Sequence, residues 1–371
     1  MPAFGDRNCS AASPSRSSSN GSIRTSAAPR SPRRRSSSTS APGTDRSKRR
    51  MRIAVIGAGA VGSVLGSLLW RAGEDVVLVG RAAHVAAIRA AGLDVEGALG
   101  GFKATPHAEE RLSGKPELAL LTVKTQDIVA ALRGNAAHLA GVPIVVLQNG
   151  LRGDELAATV VPAGQLVSGV VALHAEYLVP GRVVLMQSEG LLIGRPDGRI
   201  DEVVERVRAV LEKALPTSVS ANIRGARWTK LIVNLNNVLP ALCDASFKQV
   251  YKDPFLRGLA VGLMREGIAV AERAGIRLEP IPGTSLPLAE ADFRWPLKGS
   301  TWQSVARARP TEIEYLNGEV VRLGKELQVP TPLNALVVAL MQRVTSERRY
   351  LAVREIERAS QEAQARALKA A

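Results

Sequence analysis

The sequence predicts an α/β domain built on a mainly parallel sheet, followed by an all-helical domain. Three observations predict it. Near residue 52 a short apolar run passes through closely spaced glycines into an amphipathic stretch. Further apolar, β-branched runs recur up to about residue 194. From about residue 221 the apolar spacing becomes helical. The 371 residues suit about two domains of roughly 100–200 residues each. An apolar share of 46% supplies two cores, and with aromatics at 4% the packing falls to Ala, Val and Leu.

Residues 1–50 stand apart as a basic tail rich in Ser, Arg, Pro and Ala. Its eleven Lys/Arg against Asp6 and Asp45 account for nine of the fifteen excess positive charges, so the remainder is only mildly basic. So few large apolar side chains do not offset the entropy of ordering such a stretch. Three readings of it stay open: an upstream start before a true initiator at Met51, an organelle transit peptide, or an arm for nucleic acid or a partner. With the charge confined there, no nucleic-acid partner is expected beyond nonspecific contact by the tail. No apolar run reaches the ~20 residues of a membrane span. Cys9 and Cys243 lie far apart and the four histidines are scattered, so neither a disulfide framework nor a metal site is expected. The expected setting is a reducing, cytoplasmic one, with organelle targeting by residues 1–50 left open.

Domain one is expected over 51–220. Its first strand is Arg52–Ile56, and Gly57, Gly59 and Gly62 complete G-x-G-x-x-G ahead of a helix running to Gly73. Between a strand and a helix this spacing marks the Rossmann dinucleotide turn. Gly57 makes the tight turn, Gly59 admits the pyrophosphate and Gly62 lets helix meet strand. The backbone of Ala58, Ala60 and Val61 completes the cradle, with the helix N-terminus supplying free N–H groups and a positive dipole end. After the second strand, DVVLV, an acid would select NAD through the ribose hydroxyls. The chain has Gly80-Arg81 instead, which favours the 2′-phosphate of NADPH; an ordinary solvated arginine is the competing reading. Strands at 117–127 and 142–150 end in Lys124 and in Gln148-Asn149-Gly150, at the edge where ligands bind in open α/β sheets. Residues 169–194 read as a hairpin turning at Pro180-Gly181, extending the sheet and shielding its edge.

Domain two is expected over 221–350, with a charged helix or tail at 351–371. In WTKLIVNLNN, Lys230, Asn234 and Asn237 share a stripe about 60° wide on an otherwise apolar helix. A solvated face more often carries Glu, Lys and Arg, so the stripe is expected to line a cleft. Pro240 withholds a donor from the Asn236 carbonyl, so a bend or end is expected there. Ser300-x-x-Gln303 matches a capping box, and Pro310 with Glu312 suits the first turn of the following helix. Capping and dipole effects alone therefore also account for Ser300 and Glu312.

Taken in order, IAVIGAGAVGS, TVKTQD, LQNG, RWTKLIVN, GSTWQSV and TEIEYLNG resemble the ketopantoate reductases, or 2-dehydropantoate 2-reductases, from about Met51 to about Arg349. The resemblance implies an NADPH-binding Rossmann domain followed by an all-α domain of the 6-phosphogluconate-dehydrogenase-like kind. It implies reduction of 2-dehydropantoate to (R)-pantoate on the route to pantothenate and coenzyme A. It places the catalytic lysine at Lys230 and the active-site glutamate at Glu312. Substrate contacts fall on Asn234, Ser300 and Asn149, and cofactor contacts on Lys124 and Asn149. Many members carry a further asparagine where this chain has Val238; Asn237 on the same stripe is the candidate replacement. The expected partner is a small 2-oxo acid, in a monomer or homodimer. Two other readings stay open: an NADPH-dependent reductase of a different 2-oxo acid, and a non-catalytic NADP-binding sensor.

Overall fold

The structure is a computed structural model describing residues 50–288 and 297–370. The expectations for the tail and for Cys9 lie outside the described residues. The strands are β1 (Arg52–Ile56), β2 (Asp75–Val79), β3 (Leu93–Gly97), β4 (Phe102–Ala104), β5 (His107–Glu109), β6 (Leu118–Leu121), β7 (Ile144–Val146), β8 (Leu166–Val179), β9 (Arg182–Gly194) and β10 (Thr217–Val219). They form one sheet in the order β4-β3-β9-β8-β7-β6-β1-β2-β5, with β10 paired to β9. Interleaved with them are α1 (Ala60–Arg71), α2 (Ala82–Ala91), α3 (Ile128–Asn135), α4 (Gly153–Ala158) and α5 (Glu202–Leu211).

Both faces of this sheet are covered, which is why its strands read as continuous apolar runs. Side chains alternate across a strand. On β1, Ile53 and Val55 join the core that includes Leu65 and Leu68 of α1 and Val207 of α5. Ala54 and Ile56 join the opposite core with Ile128 and Leu132 of α3 and Ala157 of α4. The 180–181 turn joins β8 to β9 as expected, but the hairpin does not shield an edge. β8 pairs in parallel with β7, and β9 pairs with both β3 and β10. The hairpin is interior because β3, a short strand of mixed polarity, returns from far upstream to cover β9.

The helical part comprises α6 (Ile223–Asn234), α7 (Val238–Cys243), α8 (Phe247–Lys252), α9 (Pro254–Arg273), α10 (Gly299–Ala306), α11 (Asn317–Leu327), α12 (Pro332–Glu347) and α13 (Val353–Ala370). Its core gathers Leu231, Ile232 and Leu235 with Leu263 of α9, Val320 of α11, Met341 of α12 and Ile356 of α13. Residues 353–370 are thus helical, with Ile356 anchored in that core. The fold is a Rossmann-like sheet-and-helix region followed by a helical region.

The helix holding Lys230 ends at Asn234, and a 3-10 turn over Leu235–Asn237 precedes α7, so the break falls around Asn236, where Pro240 predicts it. Two local expectations need correction. Ser300 lies inside α10 rather than at its cap: the helix begins at Gly299 and Lys298, in the cap position, makes no side-chain cap bond. The capping box present is Ser246 with Gln249 at α8. Pro310 precedes no regular helix turn, because Glu312 leads into a 3-10 turn over Ile313–Tyr315 before α11.

Candidate active site

The glycine turn is closed beneath and open above. Gly57 has φ of +114°, and a Cβ there would sit 2.4 Å from the Val123 nitrogen. A Cβ on Gly62 would meet the Gly57 carbonyl at 2.3 Å and Thr122 Oγ1 at 2.5 Å. At Gly59 the nearest atom would be 4.0 Å away. Gly59 is exposed at the start of α1, where no side chain caps the helix and no acidic residue lies in the first turn. The amides of the first turn are free of intrahelical partners by geometry. A chain that leaves these donors uncapped above an open glycine fits a diphosphate. Gly57 and Ala58 both donate backbone N–H groups to the Val79 carbonyl, at 2.9 and 2.8 Å, which fastens the turn to the end of β2. Arg81, two residues beyond Val79, is exposed and leads into α2.

Lys230 is set by α6. The helix starts where Asn222 Oδ1 accepts from the Gly225 amide at 3.2 Å, and Gly225 lies where a Cβ would be 2.1 Å from the Arg277 carbonyl. With Leu231 and Ile232 buried in the helical core, Lys230 turns to the other side, towards the sheet. It lines a small recess with residues 147–150, 169–171 and Arg227. It makes no hydrogen bond or ion pair with any described residue, and burial lowers its pKa from 10.5 to about 8. His174 of β8 is near enough that the lysine's charge, after burial, holds the imidazole below its ordinary pKa.

The asparagines form a row beside the lysine. Asn234 Nδ2 donates to Asn149 Oδ1 at 3.1 Å, and Asn237 Nδ2 donates to Asn234 Oδ1 at 3.3 Å. Asn236, the one off the stripe, is buried and donates to the Tyr251 hydroxyl at 3.1 Å. Asn149 is held by its loop. Gly150 has φ of +81°, and a Cβ there would meet the Tyr315 carbonyl at 2.5 Å, so glycine lets the 148–150 loop pass against the TEIEY segment.

Arg227, one turn before Lys230, was not singled out in the sequence. It is buried, donates to the Gly150 carbonyl at 2.9 Å and to Ser168 Oγ at 2.9 Å, and lies 3.3 Å from Asp154. It therefore pins the asparagine loop to α6. A long cation three residues before a site lysine was the available signal. His174 had no such signal, since only the fold brings β8 to α6.

Glu312 belongs to a second cluster. Its Oε1 accepts from the Thr125 amide and lies 3.0 Å from Thr125 Oγ1. The same hydroxyl is 3.3 Å from the Asn149 carbonyl, and with one proton it donates to one of the two at a time. Lys124 Nζ donates to Ser304 Oγ at 2.9 Å and to the Pro310 carbonyl. Burial lowers the Lys124 pKa, while Glu312 and Asp127 raise it and Arg309 and Arg81 lower it further. The hydrogen-bond partner of Glu312 is thus Thr125, not Lys230. Ser300 is exposed, and its backbone carbonyl accepts from Ser304 Oγ at 3.2 Å. The adjoining Gly299 lies against the row, its Cβ position 3.5 Å from Asn237 Oδ1. Val238 is buried and offers no polar group.

Comparison with known proteins gives the family. The family described as ketopantoate reductase PanE/ApbA matches residues 53–198, and its C-terminal counterpart matches 222–345. The chain is 33% identical over 296 residues to a 2-dehydropantoate 2-reductase of Pyrococcus horikoshii, covering 78% of this chain and 96% of that one. It is 32% identical over 327 residues to one of Mesorhizobium japonicum, covering 80% and 99%. A solved PanE/ApbA family ketopantoate reductase of Ralstonia eutropha JMP134 superposes with a TM-score of 0.72 at 30% identity, over 80% of this chain and 99% of that one. With the glycine turn, the Lys230 recess and the asparagine row in this order along the chain, and the family matched across both halves, the chain belongs to the ketopantoate reductase family.

Proposed function

We propose that this chain reduces 2-dehydropantoate to (R)-pantoate with NADPH, in the route to pantothenate and coenzyme A. The observation that carries the reading is Lys230, an ammonium held in a recess without a counter-ion among the described residues and with its pKa lowered to about 8. Such a group is poised to give up a proton near neutral pH. Gly57, Ala58, Gly59, Ala60, Val61 and Gly62 would hold the cofactor's diphosphate, and Arg81 and Lys124 the phosphate on its ribose. Asn149 stands between the cofactor side and the substrate side. When bound, the cofactor supplies hydride to the ketone carbon of the 2-oxo acid.

As charge develops on the ketone oxygen, Lys230 donates its proton there and its positive charge stabilises the alkoxide. Asn234, tied to Asn149 and Asn237, orients the substrate. Ser300, with its hydroxyl exposed, is assigned to the substrate carboxylate. Glu312 is assigned to the substrate's hydroxyl; its bonds to Thr125 support that role over direct support of Lys230.

A second reading, a reductase of a different 2-oxo acid, is favoured by one observation: Val238 is apolar and buried where many members present a further asparagine. Steady-state oxidation of NADPH with 2-dehydropantoate and a panel of other 2-oxo acids tests both. The expected result is the highest kcat/KM for 2-dehydropantoate, a preference for NADPH over NADH, and a fall in kcat/KM as pH rises through about 8. A higher kcat/KM for another 2-oxo acid would establish the second reading. Absence of turnover on the whole panel would leave an NADP-binding sensor.

A further inference from the structure

Arg309 is an exposed arginine that the proposed reaction does not use. It follows α10 at a strained corner. Ala308 has φ of +49°, a left-handed conformation that disfavours a side chain. The Ala308 amide bonds the Val305 carbonyl and the Arg309 amide bonds the Ser304 carbonyl, both at 2.9 Å. That pair of bonds is a Schellman ending, in which glycine is usual at the left-handed position. The turn fixes where the next residue goes. The Arg309 guanidinium lies 5.9 Å from the centre of the Tyr177 ring. Tyr177 in turn packs at 4.9 Å on His84, in the first turn of α2 that Arg81 leads into. On its other side Arg309 adjoins Pro310, whose carbonyl accepts from Lys124 Nζ.

Arg309 from the helical region therefore converges with Arg81 and Lys124 from the sheet region. Neither Arg81 nor Arg309 forms an ion pair with any described residue. Their mutual proximity registers on Lys124, whose charge both disfavour, and on Tyr177, which both influence. Three like charges brought close to one another are unfavourable unless an anion joins them. The glycine turn that would carry the rest of a dinucleotide is fastened beside them, through the Val79 carbonyl at the end of β2.

We propose that Arg309 is a third cation for the cofactor's 2′-phosphate, contributed by the helical region, so that NADPH, unlike NADH, adds a contact between the two regions. The proposal rests on the NADPH reading given above. It makes Arg309 a determinant of cofactor choice.

The test is direct binding to the full chain, read by the change in cofactor fluorescence, with NADPH and NADH measured in parallel for the wild type, R309A, R309K and R81A. Losing one partly exposed charge-assisted contact should raise the Kd for NADPH by about tenfold in R309A. The Kd for NADH should change less than about twofold, and R309K should recover part of the loss. The Arg309 side chain makes no hydrogen bond to a described residue and sits among like charges, so the melting temperature of cofactor-free R309A should not fall below the wild type. If R81A weakens NADPH selectively while R309A does not, the inference about Arg309 is overturned and the NADPH reading stands. An equal loss of NADPH and NADH in R309A also overturns it, because the contact would then be to a part the two cofactors share. If the wild type and R81A both bind NADPH and NADH alike, the NADPH reading itself fails, and the inference with it.

Discussion

Replacing Lys230 with methionine should stabilise the folded chain while removing its activity. Methionine fills a similar volume and has similar helix propensity, so α6 itself is little changed. The charge is what goes. A pKa lowered from 10.5 to about 8 means that the folded state holds the protonated lysine less well than the unfolded state does. At 1.36 kcal/mol per unit this difference is about 3 kcal/mol at most. Because the recess opens to solvent, about 1–2 kcal/mol is the realistic share, or roughly 2–6 °C in melting temperature for a chain of this size. The pH dependence gives the argument its sign. Below pH 8 the lysine is charged in both states and the folded wild type bears the full penalty. Between 8 and 10.5 the folded lysine loses its proton while the unfolded one keeps it, so the wild type gains stability and the methionine variant's advantage fades. Thermal unfolding of cofactor-free protein at pH 7 and at pH 10 measures this directly. Turnover should fall roughly 100-fold or more, the scale for losing a positioned proton donor. A variant that melts several degrees below the wild type at pH 7, or that keeps turnover within tenfold, would refute the reasoning.

Three further outcomes follow from the geometry. Gly150→Ala should cost about 2–4 kcal/mol, from the left-handed backbone and the 2.5 Å approach to the Tyr315 carbonyl, and chemical denaturation reads it. His84 has its pKa lowered by burial to about 4, with Nδ1 accepting from the Gly181 amide and Nε2 donating to Ser63 Oγ. Its contribution is complete above pH 6.5 and is lost as pH falls towards 4, by up to about 3 kcal/mol, a limb that a His84→Gln variant should lack in a stability–pH series. Ala308→Gly should raise stability by about 1 kcal/mol by relieving the left-handed position, seen as a higher denaturation midpoint.

Features encoded by near neighbours were legible in the sequence. The first strand, its glycine turn and its helix lie within about 20 residues, and each glycine's reason is local: Gly57 and Gly62 are crowded, and Gly59 is open. The stripe of Lys230, Asn234 and Asn237 was legible because helical periodicity alone puts these residues on one side. What was not legible depends on distant partners. β3, β4, β5 and β10 are three to five residues long and mixed in polarity, so their strand character comes from pairing rather than from pattern. The β8–β9 hairpin was legible, but its interior place was not, because β3 covers it from about 90 residues upstream. At the site, Arg227 was not singled out in the sequence; only the fold sets it against the Gly150 carbonyl. Ser300 matched a capping pattern that does not form, because residue types alone do not say that α10 already begins at Gly299.

The separation of Glu312 from Lys230 is chemically consistent with the proposed roles. A carboxylate bonded to Lys230 would favour the charged lysine and raise its pKa, opposing burial. Such a lysine would hold its proton too tightly to act as an acid near neutrality. Among the described residues the structure instead sets no carboxylate against Lys230: the asparagine row leads away from it, Arg227 shares its recess, and nearby His174 is kept below its ordinary pKa by burial and by the lysine's charge. The carboxylate of Glu312 is directed to Thr125 and to the neighbourhood of Lys124, where it raises the pKa of a lysine that burial and two arginines lower. Lys124 is thereby helped to stay charged, as the phosphate contact proposed for it would require. Two half-buried lysines in one cleft thus meet opposite electrostatic requirements, and Glu312 favours the charged form of only one of them. A Glu312→Gln variant should on this argument lower the pKa of Lys124 and weaken NADPH binding, and leave the alkaline limb of the pH profile near 8. A limb displaced well below 8 in that variant would show that Glu312 supports Lys230 after all.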